Sequence, residues 1–291
     1  MLFTKLHGIG NDFILINLIQ NTEATPNWTE ISQLMCDRHR GIGADGIILA
    51  SPSLNASLKM QIFNSDGSEA EMCGNGIRCL TKFAFDNNLV PTQSSPITVE
   101  TLAGIQTVFP IWDKGRITRV KVNMGSPILD PQLIPVSIPT TPLTINNPLP
   151  EFTLSVEDMQ LPLSFVSMGN PHAVYFSELP VNTFPLLKIG PKIEHHQIFP
   201  KRVNFHVAHM KDSRTIDQVV WERGAGPTMA CGSGGCASVV AAQLKGLVGN
   251  TVDVNLPGGT LTYDWDGKTD VWMEGPVQTV FEGDWLDGSS Y

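Results

Sequence analysis

Two cysteines of this chain occupy the same short pattern at distant positions. Cys73 lies in "MCGNG" and Cys231 in "ACGSG", and a helix-like run of residues follows each glycine-rich turn. A cysteine that opens a helix lies near the positive end of the helix dipole, which lowers the pKa of its thiol. The free backbone N–H groups of such a turn can also bind an anion. The pattern therefore predicts two reactive thiols, each beside an anion site.

Two such turns could hold one carboxylate between them and place its neighbouring carbon between two sulfur atoms. A thiolate would remove a proton from one face of that carbon, and a thiol would return a proton to the other face. The helix ends would stabilise the charge that develops on the carboxylate. The expected chemistry is inversion at the α-carbon of an amino acid, and no lysine lies in a setting that indicates a pyridoxal Schiff base.

The surroundings of the two cysteines also repeat. The Gly-Asn pair ending at Asn11 precedes Cys73 by 62 residues, and the pair ending at Asn170 precedes Cys231 by 61 residues. A turn with a polar first residue begins nine residues before each cysteine, at Asn64 and at Glu222. This order indicates an internal repeat. It predicts two domains related by a pseudo-twofold axis, with a cleft between them and one thiol on each wall.

Short alternating segments dominate the rest of the chain. Residues 57–63, 116–124, 251–256 and 269–274 alternate apolar and polar side chains, as half-buried strands do. Helices are predicted after Cys73, after Cys231 and near 27–39, where Ile31, Leu34, Met35 and Arg38 have helical spacing. Many strands with few helices indicate an α+β fold. Residues 126–150 contain seven prolines, which places a domain boundary there.

Composition narrows the function classes. The 291 residues carry a net charge of −9, which argues against a nucleic-acid partner. No apolar run approaches the length of a membrane span, and the first residues lack the features of a signal peptide, so we expect a soluble cytoplasmic protein. The five cysteines are odd in number and their spacings are not those of structural zinc. Cys36, Cys79 and Cys236 are predicted to be buried core thiols.

The motif series resembles the diaminopimelate epimerase family, in the two-cysteine, cofactor-independent group of amino-acid racemases and epimerases. The segments "KLHGIGNDF", "RHRGIGADG", "FNSDGSEAEMCGNGIRC", "SMGNPHAV" and "ERGAGPTMACGSGGCA" occur in the family's order. The resemblance implies two similar α+β domains, each a β-sheet wrapped around a central helix, with the active site in the cleft. The first domain would comprise residues 1–125 plus 276–291, and the second 126–275.

The same resemblance implies an isomerase that interconverts LL- and meso-diaminopimelate in the pathway to lysine and peptidoglycan precursors. It implies no cofactor and no metal, a small-molecule substrate, and a cytoplasmic homodimer. It implies Cys73 and Cys231 as the acid–base pair, with His172 serving Cys73 and Glu222 serving Cys231.

Substrate contacts also follow from the resemblance. The distal amino-acid end of the substrate is assigned to Asn11, Asn64, Asn170, Asn204, Glu222 and Arg223. The α-carboxylate is assigned to backbone N–H groups of Gly74, Asn75, Gly232 and Ser233. This chain departs from many members at Gly46, where some carry Gln, at Pro227, where many carry Glu, and at Ser233, where many carry Thr.

Two other functions fit part of the pattern. A proline or hydroxyproline racemase uses the same two-thiol design, but its substrate has no distal head for Asn64, Asn204 and Arg223 to bind. A metal- or redox-binding module using Cys73 and Cys231 would not be an enzyme at all.

Overall fold

The chain divides into two compact units in the computed structural model, which describes residues 1–19, 26–138 and 148–286. Unit 1 consists of Met1–Asn123 and Glu274–Tyr291, and unit 2 consists of Met124–Met273. The proline-rich segment 126–150 lies at the start of unit 2, and its residues 139–147 are outside the described part. Within the described residues, no helix has both the length and the apolar character that a membrane span requires.

Unit 1 is a sheet packed around one helix, α2. Its elements in chain order are β1 (Leu2–Gly8), β2 (Asn11–Asn17), α1 (Trp28–Cys36), β3 (Gly46–Ser51), β4 (Leu58–Asn64), β5 (Glu69–Ala70), α2 (Gly74–Asp86), β6 (Ile97–Thr101), β7 (Gly104–Asp113), β8 (Arg116–Asn123) and, near the C-terminus, β18 (Gln278–Asp284). Strand β18 returns to pair with β1. Helix α2 packs against six strands of the unit and is buried along most of its length.

Unit 2 has the same plan around helix α4. It contains β9 (Glu151–Val156), β10 (Met159–Ser167), β11 (Pro171–Phe176), a short 3-10 turn (Val181–Thr183), α3 (Leu186–Glu194), β12 (Asn204–Asp212), β13 (Thr215–Glu222), β14 (Gly226–Pro227), α4 (Gly232–Leu244), β15 (Thr251–Leu256) and β16 (Gly259–Asp264). A further strand, β17 (Trp272–Pro276), crosses the division between the units. The expected α+β class, with a sheet around a central helix in each half, is confirmed.

The strand pairings repeat between the units. In unit 1, β1 and β2 pair antiparallel, β2 and β3 parallel, β3 and β4 antiparallel, and β4 and β6 parallel. In unit 2, the successive pairs β10–β11, β11–β12, β12–β13 and β13–β15 have the same four orientations. Helices α2 and α4 each have 13 residues and each begin one residue after a cysteine. The internal repeat predicted from the sequence is therefore present in the topology.

Both Gly-Asn pairs stand in the same tight turn. Gly10 has φ +86° and Gly169 has φ +92°, a left-handed conformation that glycine adopts without the cost a side chain brings. Each turn leads into the strand, β2 or β11, that begins at or next to its asparagine. The glycine thus fixes the point at which Asn11 and Asn170 enter the structure.

The predicted elements are found with shifted ends. Strands β4, β8, β15 and β17 correspond to the four alternating segments, although β17 begins only at Trp272. Helix α1 is shorter than predicted. Leu34, expected on its buried face, is 55% exposed, and the helix buries Trp28 and Met35. Arg38 lies beyond its end. The core burial of Cys36, Cys79 and Cys236 is confirmed.

Helix α3 was not predicted. Gly190 and Pro191 interrupt its sequence and are typical helix breakers. The helix is held by tertiary packing, because Ile189 and Ile193 belong to the apolar core of unit 2. A side chain at Gly190 would collide with the ring of Trp221, which explains the absence of one there.

Small residues let helix α4 approach its neighbours closely. The Tyr263 hydroxyl donates a hydrogen bond to Gly232 O over 2.9 Å, and its ring lies directly against Gly235. Tyr263 is fully buried, so it cannot move aside at low cost. The tyrosine therefore fixes the first turn of α4, where Cys231 caps the helix.

We expect Gly235→Ala to destabilise the protein by about 1–3 kcal/mol, because the added methyl group overlaps the buried Tyr263 ring. Alanine in an open helix would instead have stabilised it. The measurement is the urea midpoint of unfolding. Gly249→Ala is the matched control, since nothing lies near its added carbon; equal midpoints for the two variants would contradict the proposed packing role.

Candidate active site

Cys73 caps helix α2. Its backbone is extended, with φ −141° and ψ 120°, and its Sγ accepts a hydrogen bond from Gly76 N over 3.4 Å. The side chain is half-buried. The cysteine therefore takes the place of the usual Ser, Thr or Asp cap, and its sulfur is held against free N–H groups at the start of the helix.

Asn11 connects the Gly-Asn turn of unit 1 to this thiol. Its Oδ1 accepts from Cys73 Sγ over 3.6 Å and from Asn75 Nδ2 over 3.1 Å, while its Nδ2 donates to Asp45 over 2.6 Å. The side-chain oxygen is thus fully engaged within unit 1. The structure brings Asn11 to the cysteine, whereas its assignment to the distal end of a substrate stays a prediction.

Arg78 supports the Cys73 turn and was missed by the sequence reasoning. It is fully buried and donates to Asn75 Oδ1 over 2.8 Å, to Gly74 O over 3.1 Å and to Pro276 O over 3.4 Å. The sequence does contain a signal for Arg78, because it places a cation within an otherwise apolar helix face. A buried arginine has to be paired with hydrogen-bond acceptors, so such a cation indicates a polar contact of the helix.

A charged network orients Asp45, the partner of Asn11. Arg38 binds Asp12 over 2.7 Å and Asp45 over 2.8 Å, and Lys5 binds Asp12 over 2.9 Å. Burial acts to raise the pKa of Asp12, but the hydrogen bonds from Arg38 and Lys5 outweigh it and lower that pKa. The ionised Asp12 therefore holds Arg38 beside Asp45.

Asn64 lies at the end of β4 and does not join this group. Its Nδ2 donates to Ser68 Oγ over 3.0 Å, within the turn that leads to β5. Its predicted contact with substrate remains a prediction.

Cys231 caps helix α4 in the equivalent position of unit 2. Its backbone is extended, its side chain is buried, and its Sγ lies 3.8 Å from Ser233 Oγ. Glu222, at the end of β13, accepts hydrogen bonds from the Cys231 thiol and from Thr228. Burial raises the pKa of Glu222 above its ordinary value, and these two hydrogen bonds only partly oppose the rise. Glu222 is thus a carboxyl group hydrogen-bonded to the thiol, and burial increases its affinity for a proton.

His172 lies in a chain of four hydrogen-bonded side chains. Asn170 Oδ1 is 2.9 Å from His172 Nε2, His172 Nδ1 is 2.9 Å from His206 Nε2, and Gln218 Nε2 is 3.2 Å from His206 Nδ1. Both rings and Gln218 are buried. Because the Gln218 amide donates, each ring must carry its proton on Nε2, so the chain runs in one direction from Gln218 to Asn170.

These rings lie beside Cys231. One nitrogen of His172, one of His206 and the Cys231 Sγ are all within 4.8 Å of one another. The assignment of His172 to Cys73, which belongs to unit 1, stays a prediction, and within unit 2 the thiol next to His172 is Cys231. The reason is local, because β11 and β12 carry the two rings and His206 packs against Gly234 in the first turn of α4.

Both rings are neutral at ordinary pH. Burial lowers the pKa of His206 to about 3. Burial also lowers the pKa of His172 well below its ordinary value, and the neighbouring His206 lowers it further. His206 and Gln218 had no signal in the sequence, since they become neighbours only through the pairing of β12 with β13.

Asn204 and Arg223 form a second contact in unit 2. Asn204 Oδ1 accepts from Arg223 N over 3.0 Å, and Asn204 Nδ2 donates to Pro171 O over 3.0 Å. The exposed Arg223 guanidinium donates one hydrogen bond, to Lys201 O over 3.1 Å. A guanidinium has five N–H donors, so this bond uses only one of them. The arrangement holds the backbone at Arg223 while its side chain remains accessible.

The backbone groups predicted to bind a carboxylate stand where helices begin. Gly74 and Asn75 are the first residues of α2, and Gly232 and Ser233 are the first residues of α4. The first four N–H groups of a helix have no partner within the helix. Each unit therefore has helix-terminal backbone N–H groups directly beside its cysteine, and their binding of a carboxylate stays a prediction.

Two departures from the family pattern have structural consequences. A side chain at Gly46 would meet the backbone oxygen of Phe63 at 2.7 Å, so the backbone here leaves no room for the Gln of other members. Pro227 is exposed in the two-residue strand β14 and pairs with Trp221 without offering an N–H.

Comparisons with known proteins identify the family of the chain. The family model "Diaminopimelate epimerase" matches residues 3–129 and 164–280. The chain belongs to the diaminopimelate epimerase family. A diaminopimelate epimerase from Methanococcus maripaludis is 47% identical over 98% of this chain and 99% of its own length, and one from Acetivibrio thermocellus is 46% identical over 98% of each.

Solved structures of other families share the fold. A hydroxyproline epimerase from Agrobacterium vitis, with bound trans-4-hydroxy-L-proline, superposes with a TM-score of 0.68 at 14% identity, covering 97% of this chain and 91% of that one. A PhzF-family phenazine biosynthesis protein from Bacillus anthracis has a TM-score of 0.65 at 14% identity, covering 99% of each chain. At such identities the likeness concerns the fold alone.

We expect the stability of this epimerase to fall as the pH drops from 7 to 5. The unfolded chain protonates both His172 and His206 below about pH 6.5, whereas the folded chain keeps both neutral. Each proton bound only by the unfolded state costs about 1.4 kcal/mol per pH unit. The measurement is urea unfolding across this range, with EDTA present to keep the rings free of metal.

His206→Gln should reduce the slope of the unfolding free energy against pH by the contribution of one proton. His195→Gln removes an exposed histidine of the same unit and is the matched control, expected to leave the slope unchanged. A slope that is the same in wild type and His206→Gln would show that His206 is not held neutral.

Proposed function

We propose that the protein interconverts LL- and meso-diaminopimelate by a two-base mechanism. One of the two cysteines, Cys73 or Cys231, removes the α-proton from one face of the carbon, and the other supplies a proton to the opposite face. Membership of the family makes the chain an isomerase and a diaminopimelate epimerase. The observation that carries the residue assignment is the equivalence of the two thiols, since each caps a 13-residue helix at the same place in a repeated unit.

Cys231 is the thiol with a built-in proton acceptor. Glu222 accepts its hydrogen bond, and the raised pKa of this carboxyl brings its affinity for a proton closer to that of the thiol. A Cys231 thiolate formed in this way removes the α-proton from one face of the substrate carbon. His172 lies beside Cys231 as a neutral ring and adds no charge there, and its service to Cys73 rests on the family resemblance.

Cys73 supplies the proton on the other face. Its thiol donates to Asn11 Oδ1, an acceptor that cannot take the proton away. This supports a protonated Cys73 as the starting form for one direction of the reaction. The reverse direction exchanges the two roles, as microscopic reversibility requires.

The helix turns stabilise the charge that develops during the reaction. Removal of an α-proton pushes negative charge onto the carboxylate. The N–H groups of Gly74, Asn75, Gly232 and Ser233, at the positive ends of α2 and α4, are the donors for that charge. Such fixed donors need no reorganisation when the carbanion forms.

The distal amino-acid head requires separate recognition. We assign the distal carboxylate to the exposed guanidinium of Arg223, whose backbone N–H donates a hydrogen bond to Asn204. The other polar contacts to this head are assigned to three further asparagines, Asn11, Asn64 and Asn170. The family resemblance further supports a cytoplasmic homodimer that works without a cofactor.

The first test follows the α-proton in D2O by proton NMR, with reduced protein and no added cofactor. Early in the reaction the product should carry deuterium at the inverted carbon while remaining substrate keeps protium, because donor and acceptor are different thiols. Cys73→Ala and Cys231→Ala should each lose more than about a thousandfold in rate.

Matched controls come from the same helices. Cys79→Ala and Cys236→Ala remove fully buried thiols from α2 and α4 and should retain most activity. Deuterium appearing equally in substrate and product from the first turnover would contradict two separate bases.

The binding assignment distinguishes this activity from a proline-type racemase. Arg223→Ala should raise the KM for diaminopimelate at least tenfold, because a charged hydrogen bond of about 1.5–3 kcal/mol is lost. Arg214→Ala, an exposed arginine in the turn after β12, is the matched control. An unchanged KM, or exchange with L-proline that survives the substitution, would remove Arg223 from the substrate site.

A further inference from the structure

We propose that Cys231, His172 and His206 form a binding site for a thiophilic divalent cation such as Zn²⁺, and that the bound ion inhibits the epimerase. Neither His206 nor any metal is needed by the reaction described above. Inhibition rests on the proposed function of Cys231, but binding of the ion does not.

The donor set is the first support. One thiol sulfur and two imidazole nitrogens lie within 4.8 Å of one another, and all three side chains are buried. Cysteine and histidine are the ligands that Zn²⁺ prefers, and three protein ligands with one open position is a common arrangement for this ion. Zn–N bonds of about 2.0–2.1 Å and a Zn–S bond of about 2.3 Å need only small ring rotations from these separations.

The hydrogen bonds determine which nitrogens bind the ion. All four ring nitrogens are engaged, but the bond between His172 Nδ1 and His206 Nε2 joins the two rings to each other. Replacing that single bond by a cation frees two ligand nitrogens at once. Their present separation of 2.9 Å has to widen to about 3.4 Å, as tetrahedral coordination requires.

The outer contacts of the rings then become supports for the metal ligands. Ligating histidines usually donate their other N–H to an oxygen acceptor. His172 Nε2 already faces Asn170 Oδ1. His206 Nδ1 faces the Gln218 amide, whose Oε1 is buried and has no hydrogen-bond partner in the described part of the chain. Rotation of this amide gives Oε1 an N–H to accept.

The proton balance follows from these contacts. The His206 proton moves from Nε2 to Nδ1, which changes its tautomer and not its charge. The Cys231 thiol loses its proton as the S–Zn bond forms, and that proton leaves for solvent. Binding therefore releases one proton per ion, and it withdraws the thiolate that would otherwise act on substrate.

The binding test uses Co²⁺ and Zn²⁺ with the full-length, reduced protein. Co²⁺ should produce a thiolate-to-cobalt absorption band in the near ultraviolet that Zn²⁺ abolishes by competition. Cys231→Ser should remove the band, and His206→Gln should weaken Zn²⁺ binding by more than about a hundredfold. Gln218→Leu, which changes no ligand, should weaken it by about 10- to 100-fold.

Comparison of four variants makes the outcome decisive. Cys73→Ser and His195→Gln should bind as wild type does, since neither residue belongs to the cluster. Loss of binding in Cys73→Ser would contradict the proposed site, because it would assign the ion to a pair of thiols. Unchanged affinity in both His206→Gln and Gln218→Leu would also contradict it. Gln218→Leu keeps the test valid if His206→Gln fails to fold.

Activity is measured separately. Zn²⁺ should inhibit α-proton exchange, EDTA should restore it, and the concentration for half inhibition should rise in Gln218→Leu by the same factor as the dissociation constant. If the protein binds cobalt but the metal-free enzyme shows no α-proton exchange, the proposed function is refuted and the metal site is still supported. Exchange that is unaffected by saturating Zn²⁺ would refute the inhibition.

Discussion

The structure depends on placing a cysteine sulfur at the open end of a buried helix. A thiol in an apolar core is inert, because burial disfavours the thiolate, as the pKa values of Cys36 and Cys79, both raised to about 12, illustrate. Cys73 and Cys231 instead occupy the N-cap positions of α2 and α4, where the first backbone N–H groups of each helix have no partner within the helix. The sheets around α2 and α4 serve to hold those two helix ends in place. Residues that crowd the ends, such as Tyr263 and Arg78, set their position.

The two capped thiols have equivalent backbones but different neighbours. Cys73 donates to a carboxamide, and the charges near it, on Asp12, Asp45 and Arg38, form a network of their own. Cys231 donates to a carboxyl with a raised pKa and lies beside two neutral rings. In the proposed reaction either thiol can act first as the base, so the different neighbours bear only on which thiol holds the proton before substrate binds. The repeat thus supplies the geometry, and the neighbours differ between the two sites.

Much of this plan could be predicted from the sequence, because it follows from local patterns. The glycine-rich turns and the alternating strands are each recognised within a few residues, and the internal repeat is recognised because the same short motifs recur in the same order. Helix α3 could not be predicted in this way, since Gly190 and Pro191 oppose a helix and only packing against the core of unit 2 favours it. The hydrogen-bond partners of His172 within the sheet were also hidden. His206 is 34 residues from His172, and Gln218 is 12 residues from His206, and only strand pairing makes them neighbours.

The buried histidines show how a polar site can be kept at low cost in an apolar unit. A charged group in that interior would need a counter-charge or lose stability. His172 and His206 remain neutral and satisfy each other, with Asn170 and Gln218 as neutral ends of the chain. Gln218 Oε1 has no hydrogen-bond partner within the described residues, and an unpaired neutral amide oxygen costs less stability than an unpaired charge does. Cys231 therefore has neutral polar neighbours and, in Glu222, a carboxyl group that accepts the hydrogen bond of its thiol. A proton can pass between thiol and carboxyl there without creating a second buried charge.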